Sequence, residues 1–398
     1  MKRASVLSSI LAVVIVLLIV ACNRHPSTFG LIIPLPLTGP EAKFGQIQKR
    51  SYEIAAAEIN AQGGIRGKRL VLRFEDSRSK PELSKAIAER IIDVDKQALL
   101  VGEYSSRCAK AVAAVAEEHK VPYLVVASAA DDITEGNNQY VFRQNVPNAH
   151  YTDSLISFMK QVVKPESIAI IYESSAFGTS GAEDMARRAA VNGIKVLASE
   201  RYEKGAIDFR RILLRVKAAN PDVIYMVSYA ADAALLMKQI KELKIDAKLF
   251  AGNAAGFAIP EFIDWARDAA ENVVTATLWS PKLNFPGARR YADKYKAMYG
   301  DYPSYHGASA YASLFVIRDA LERANSWTPE DILAALKTTH ITTAFGPVSF
   351  EEREGYRNQN FMDTFVLQVI NGEHETIWPL QYATKKYVYP IRGWGERR

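Results

Sequence analysis

Cysteine is nearly absent from this 398-residue chain, which contains only Cys22 and Cys108. Cys22 ends an N-terminal segment that resembles an export signal, described below, so Cys108 has no partner for an intramolecular disulfide. Stability must therefore come from buried apolar side chains. With 48% hydrophobic and 24% charged residues, the composition is that of a globular protein, and a chain of this length is expected to form two lobes.

A long block of like charge is also lacking. The formal charge is +6, and it falls by two, to +4, when Lys2 and Arg3 are removed with the N-terminal segment. Basic residues are interspersed with acids along the chain, which is typical of a mixed solvated surface. We therefore expect no nucleic-acid partner and no polybasic contact with a membrane.

Groupings typical of enzymes are missing as well. No two of the six histidines have the helical spacing of a metal site with an intervening glutamate. Cys108 follows Arg107 at a predicted helix start and could be a nucleophile, but a lone cysteine there is more typical of a small buried residue. The segment 63–67 contains three glycines, but it follows a helix and precedes a strand, the reverse of a phosphate-binding loop. We expect no catalytic activity, no cofactor and no metal ion.

The N-terminus has the features of a secretory signal. Lys2 and Arg3 precede an apolar run over residues 10–21. This run is shorter than the roughly 20 residues that span a bilayer. It ends in Ile-Val-Ala-Cys at residues 19–22, which resembles the lipobox of bacterial lipoproteins. We predict a signal peptide over 1–21, a lipidated Cys22 and a linker over 22–27, with the protein lipid-anchored in the periplasm or cell envelope. An uncleaved anchor and an ordinary signal peptide are the alternatives.

From residue 28 onward, short apolar runs alternate with segments of helical periodicity. Such alternation is typical of parallel sheets covered by helices, and a crossing segment at 142–147 divides it into two series. We predict an α/β fold of two doubly wound lobes, with further strands at 345–350 and 361–370. Ligands of such sheets bind beyond the carboxyl ends of the strands, so the cleft between the lobes is the expected site.

An ordered set of motifs resembles the leucine/isoleucine/valine-binding family of type I periplasmic binding proteins. The motifs are PLTGP at 36–40, AEINAQGGIRG at 57–67, FEDS at 74–77, GEYSS at 102–106, VPY at 121–123, FG at 177–178, NPDVIY at 220–225 and FGPV at 345–348. The resemblance implies two lobes joined by three crossovers. It places lobe I at 28–145, completed by 282–343, and lobe II at 146–281, completed by 344–395.

The resemblance also implies where a ligand carboxylate would bind. In this family, a serine and backbone N–H groups at a helix N-terminus hold the carboxylate, and Ser106, after Tyr104 and Ser105, matches that place; a plain helix cap is the alternative for Ser106. A family threonine in the next loop is replaced by Ala129, which leaves Ser128 as the nearby hydroxyl, next to Ala127.

The family acid that holds an α-ammonium group is replaced by Ala254 or Ala255. Together with the loss of the threonine, this makes a standard α-amino acid a poorer fit. Asp131 or Asp132 could supply the missing counter-charge, but tandem acids of this kind are more typical of a solvated turn or helix start.

Aromatic residues match further cleft positions of the family. Phe44, Tyr104, Phe177 and Tyr229 would form a flat apolar pocket, although each could also be a core residue. His306 could donate to a ligand carboxylate; a surface or capping histidine is the alternative. These positions favour an aromatic or branched carboxylate.

The resemblance implies a solute-binding lipoprotein of an ABC importer, which captures a small amino acid or a related carboxylate by hinge closure. Its partners would be permease and ATPase subunits, its contact with the membrane would be the lipid anchor, and the monomer is the expected state. A ligand-sensing receptor subunit of the same fold is the alternative.

Overall fold

The fold is described from a computed structural model, which covers residues 27–395 without the side chains of Ala254 and Ala255. The predicted signal peptide, 1–21, and the predicted lipidation site, Cys22, lie outside the described residues. Between residues 27 and 395, no helix has both the length and the apolar character needed to cross a membrane.

Lobe I begins with alternating strands and helices. The strands are β1 (Thr28–Leu35), β2 (Arg69–Asp76), β3 (Leu100–Gly102), β4 (Tyr123–Val125) and β5 (Val141–Arg143), and the helices are α1 (Ala42–Ala61), α2 (Pro81–Asp93) and α3 (Ser106–His119). β1 pairs with β2, and β3, β4 and β5 pair in order, all in parallel. Every residue of β3, β4 and β5 is buried, as expected for parallel strands that are covered on both faces.

The chain then crosses to lobe II, where the alternation resumes. The helices are α4 (Asn148–Tyr151), α5 (Asp153–Phe158), α6 (Ala176–Val191), α7 (Arg210–Ala219), α8 (Ala230–Glu242), α9 (Ala254–Phe257) and α10 (Pro260–Ala266), and the strands are β6 (Ser167–Glu173), β7 (Lys195–Tyr202), β8 (Val223–Val227), β9 (Leu249–Gly252) and β10 (Val274–Thr277). These five strands are parallel, and every residue of β8 is buried.

A second crossing returns the chain to lobe I. This part contains α11 (Ala288–Tyr299), α12 (Tyr305–Arg323) and α13 (Pro329–Lys337), followed by β11 (His340–Thr343), β12 (Gly346–Ser349), β13 (Glu351–Arg353) and β14 (Tyr356–Gln359). β11 and β12 form a hairpin, and β14 pairs with β5 of lobe I, where Gln359 lies opposite Arg143.

The predicted return to lobe II at residue 344 is therefore wrong. Phe345 and Val348 belong to the lobe I core, and β14 extends the lobe I sheet. The predicted strand at 345–350 is shorter, because residues 344 and 345 form the turn between β11 and β12. The third crossing lies instead between β14 and the next strand.

The last two strands, β15 (Phe365–Ile370) and β16 (Glu373–Trp378), complete lobe II as an antiparallel edge. The lobe II sheet has the order β16-β15-β10-β9-β8-β6-β7. The following C-terminal segment packs on the same lobe, where Tyr389 donates to Val163 O at 3.0 Å and Trp394 Nε1 donates to Ile245 O at 2.7 Å.

This topology places the candidate site. A group of buried residues joins the two lobes, with Phe44, Tyr104 and Ala127 from lobe I and Ala230 and Ile259 from lobe II. Most of them follow the carboxyl ends of strands or begin helices, which is where open α/β sheets bind ligands.

Candidate functional site

An aromatic cluster lies between the lobes. Phe44 stacks on Tyr104 with ring centroids 4.4 Å apart and an angle of 8° between the planes. Tyr229 of lobe II lies 6.3 Å from each of these rings and 5.2 Å from Phe177. His306 packs edge-on against the stack, 4.9 Å from Phe44 and 5.1 Å from Tyr104. The structure thus brings all five predicted ring residues together.

The position of Phe44 depends on the glycine after it. A Cβ atom at Gly45 would lie 2.1 Å from the carbonyl oxygen of Pro36, far inside contact distance. Only glycine lets α1 approach the end of β1 this closely. That approach sets the first turn of α1, and with it Phe44, against the cleft.

The hydroxyl group of Tyr104 is a buried polar group within the cluster. The residue is 4% exposed, and its Oη is buried with no hydrogen-bond partner in the described part of the chain. Burial raises the pKa of Tyr104 well above its ordinary value, and the nearby Tyr229 and Glu41 add to the effect. The group therefore stays protonated and can donate a hydrogen bond.

The predicted serines tie two loops of lobe I together. Ser105 occupies the N-cap position of α3, so the alternative interpretation of Ser106 as that cap is wrong. Ser106 Oγ accepts from Ala130 N–H at 3.1 Å, and Ser128 Oγ donates to Tyr104 O at 2.9 Å. These bonds hold the loop after β3 against the loop after β4.

The alanines of the second loop have different surroundings. Ala127 lies in the aromatic group between the lobes, whereas Ala129 belongs to the lobe I core. The carbonyl of Ala129 accepts from Asn148 N–H at 2.7 Å, at the crossing between the lobes. The side chain of Ala254 lies outside the described structure, although the backbone there begins α9.

His306 is a neutral group inside the cluster. The alternative of a surface histidine is wrong, since the residue is 1% exposed at the start of α12. Burial lowers the pKa of His306 to about 3. Its Nδ1 lies 3.3 Å from Ser304 Oγ, so the ring can share one proton with that hydroxyl and carries no charge at neutral pH.

Glu41 and Lys204 are cleft residues that sequence reasoning missed. The Glu41 side chain is 2% exposed, and its Oε1 lies 2.5 Å from Lys204 Nζ and 4.0 Å from Arg107 Nη2. Lys204, from the loop after β7 in lobe II, also lies over the Tyr229 ring, 4.1 Å from its centroid. No sequence motif marks either residue. The two residues are 163 positions apart along the chain and lie in different lobes, so their contact cannot be read from a local pattern.

Asp131 links the lobes by hydrogen bonds. Its carboxylate accepts from Ser180 Oγ at 2.6 Å, from Tyr356 Oη at 3.0 Å and from Ala149 N–H at 3.0 Å. Asp132 instead pairs with Lys110 at 2.5 Å on the surface, as expected for a solvated turn. Asp131 is therefore committed to protein groups on both sides of the cleft.

The thiol of Cys108 fits the interpretation as a small buried residue. The side chain is fully buried, and burial, reinforced by Glu103, raises the pKa of Cys108 to about 11. The thiol is therefore protonated at neutral pH and is a poor nucleophile. Within residues 27–395, no group of three His, Cys, Asp or Glu side chains is arranged to hold a metal ion.

Comparison with known proteins confirms the resemblance. The Leu/Ile/Val-binding protein homolog 7 of Brucella suis is 28% identical over 360 residues, 86% of this chain and 90% of that protein. The leucine-binding protein LivK of Thermotoga maritima superposes with a TM-score of 0.80 at 25% identity, over 88% of this chain and 97% of LivK. A solute-binding protein of an ABC transporter from Rhodopseudomonas palustris, in complex with 3,4-dihydroxybenzoic acid, has the same fold, with a TM-score of 0.77 at 22% identity over 87% of this chain and 95% of that one.

A family model extends this likeness over most of the chain. The model of the periplasmic binding protein family matches residues 27–373, which include both lobes and the cleft described above. The chain belongs to the periplasmic binding protein family and has the type I fold of its leucine/isoleucine/valine-binding members.

Proposed function

We propose that this chain is the solute-binding lipoprotein of an ABC importer and that it captures a small aromatic or branched carboxylate between its lobes. The observation that carries the proposal is the aromatic cluster, which contains rings from both lobes and the buried hydroxyl of Tyr104, which has no partner in the described part of the chain. Flat apolar walls with a few convergent polar groups are typical of sites for planar or branched acids.

The ligand carboxylate would lie at the N-terminus of α3, beside Tyr104, Ser105 and Ser106. The first amide groups of this 14-residue helix point toward the cleft end of lobe I, where unpaired N–H groups and the helix dipole favour an anion. The names of the relatives favour a branched-chain amino acid, whereas alanine at 129 and 254 favours a ligand without an α-amino group.

Capture would proceed by closure of the lobes. A ligand that first binds to one lobe and then gains contacts from the other favours the closed form by its differential affinity for that form. The contacts that cross the cleft, Glu41 with Lys204 and Asp131 with Ser180, would form at the same time. The closed protein would then dock on the permease, while separate subunits hydrolyse ATP.

A thermal-shift screen followed by calorimetry tests this function. The protein from Ser27 onward would be screened against branched-chain and aromatic amino acids and their counterparts without the amino group. Binding to the native state raises the melting temperature, with about 2.7 kcal/mol of stabilisation at 100 times Kd. The absence of any shift across both ligand classes would contradict the proposal.

Replacing Tyr104 by phenylalanine is expected to weaken ligand binding without weakening the fold. The hydroxyl has no hydrogen-bond partner among residues 27–395, so its removal leaves the melting temperature of the free protein unchanged or higher. A donor to a ligand carboxylate contributes about 1.5–3 kcal/mol, so calorimetry should show a matching loss of affinity. Tyr311→Phe is the control, because its hydroxyl donates to Glu58 at 2.6 Å, away from the cleft. Tyr311→Phe should lower the melting temperature and leave the affinity for ligand unchanged. If Tyr104→Phe behaves in the same way, the Tyr104 hydroxyl does not contact the ligand.

A further inference from the structure

Glu41 is a buried carboxylate at the mouth of the aromatic cluster. It immediately precedes α1, three residues before Phe44, and its side chain is 2% exposed. One oxygen, Oε1, contacts Lys204, while Oε2 is buried without a hydrogen-bond partner in the described structure. A buried carboxylate needs a cation close by, since an unpaired charge in a closed cleft is costly.

The ammonium group of Lys204 meets this need from the opposite lobe. Its Nζ lies 2.5 Å from Glu41 Oε1 and 4.1 Å from the centroid of the Tyr229 ring. A carboxylate on one side and an aromatic face on the other form a cation-binding site. This protein thus has an acid and an aromatic face suited to an ammonium group, and a lysine of its own chain occupies them.

We propose that Lys204 takes the place of a ligand ammonium group, so that the cleft selects carboxylates that lack an amino group. The assignment rests on the proposed function, solute capture in this cleft. Ala254 or Ala255 stands where the resemblance places the acid of the family's amino-acid binders, and Glu41 is a cleft carboxylate that is paired with a cation. With Lys204 bound to it, a second ammonium group would meet like charge at short range and find no counter-charge.

Two other acids near the cleft are held by protein donors. Glu173 accepts from the N–H groups of Ser175 at 2.7 Å and Gly178 at 3.0 Å at the start of α6. Asp131 is held by the three protein donors described above. Each of these two carboxylates is thus committed to protein donors, whereas Glu41 is paired with a lysine side chain that also lies over the Tyr229 ring.

The test compares ligand pairs that differ only in the amino group. Calorimetry would measure leucine against 4-methylpentanoate and phenylalanine against 3-phenylpropionate, with the parent, Lys204→Met and Lys204→Gln. The parent should prefer the acids without the amino group. Loss of the lysine ammonium should shift the affinity ratio toward the amino acids by at least tenfold, because Glu41 becomes available to them. Adding Glu41→Gln to Lys204→Met should cancel that gain.

A matched control distinguishes an effect on ligand selectivity from an effect on closure of the lobes. Lys43 of lobe I pairs with Glu261 of lobe II, so Lys43→Met removes an ion pair across the cleft but leaves Glu41 and Lys204 in place. This variant should change both members of a ligand pair equally and leave their ratio unchanged. If Lys204→Met also leaves the ratio unchanged, Lys204 only joins the lobes and the assignment is overturned.

The outcomes also distinguish this assignment from the proposed function. A parent protein that binds leucine more tightly than 4-methylpentanoate overturns the assignment and leaves solute capture intact. If neither the parent nor any variant binds a member of either pair, solute capture of this class is overturned, and the role of Lys204 with it.

Discussion

At pH 8, the variant Glu103→Gln is expected to be more stable to unfolding than the parent, by up to about 3 kcal/mol. Glu103 follows β3, is fully buried, and lies directly before Tyr104 of the aromatic cluster. Burial raises the pKa of Glu103 to about 7 from 4.5. A shift of this size corresponds to roughly 3 kcal/mol, at about 1.4 kcal/mol per pH unit.

The direction of this stability change follows from the number of protons bound by the folded and the unfolded protein. Between pH 4.5 and about 7, the folded protein keeps the Glu103 proton while the unfolded chain has released it. The stability that the neutral carboxyl group contributes is therefore complete below pH 4.5 and is lost as the pH rises through about 7. Hydrogen bonds from Ser84, Ser77 and the amide of Tyr104 favour the charged form and offset only part of the cost of burial.

Urea unfolding of the parent and of Glu103→Gln at several pH values between 5 and 8 measures the effect. Other groups titrate in this range, so the difference between the two proteins at each pH is the informative quantity. Glutamine has nearly the same shape, and the serine hydroxyls can reorient toward its amide. The stability difference should rise with pH, and a difference that stays constant from pH 5 to 8 would rule out a raised pKa.

Glu375→Gln provides the matched control. Burial raises the pKa of Glu375, but hydrogen bonds from Thr384, Lys282 and Lys385 outweigh it and hold the pKa at about 2. Its contribution to stability is present above the ordinary value of 4.5 and is lost as the pH falls toward 2. This variant should therefore lose the same stability at every pH from 5 to 8.

Local patterns predicted most of the helices and strands, because each depends on neighbouring residues. The continuous apolar run of β8 and the helical periodicity of α13 are examples. β13 and β14 were not predicted, since their polar and charged residues show no apolar alternation. β13 pairs with β14, and β14 is held by a non-local partner, β5, more than 200 residues earlier, as the pairing of Gln359 with Arg143 shows.

In the candidate site, too, residues near local motifs were predictable and residues that depend on distant contacts were not. Tyr104 and Phe177 were predictable because they stand inside motifs that resemble the family's. Phe44 and Tyr229 lie shortly after such motifs, and the structure brings the four rings together. Glu41 and Lys204 stand in loops, one in each lobe, and become a pair only when the lobes meet. Asp131 was considered as a ligand counter-charge, but its three hydrogen bonds come from segments that are distant in sequence.

Replacing Asp131 by alanine is expected to weaken ligand binding by favouring the open form. Its bond with Ser180 of lobe II crosses the cleft, whereas Tyr356 holds the carboxylate in lobe I. Hydrogen bonds to a charged group contribute about 1.5–3 kcal/mol each. If the bond with Ser180 exists only in the closed form, its loss should reduce the affinity by roughly 10- to 100-fold, since each 1.4 kcal/mol is a factor of ten.

Ser180→Ala measures how much of this loss of affinity comes from the hydrogen bond between the lobes. It removes only the hydroxyl group that bonds to Asp131, while the bonds of Asp131 to Ala149 and Tyr356 remain. Calorimetry on the two single variants and the double variant forms a cycle, in which the double variant should bind about as weakly as Asp131→Ala alone. Asp132→Asn is the control, because Asp132 pairs with Lys110 on the surface of lobe I and should leave the affinity unchanged. Additive losses from Asp131→Ala and Ser180→Ala would show that the two side chains act separately, and their bond would then have no part in closure.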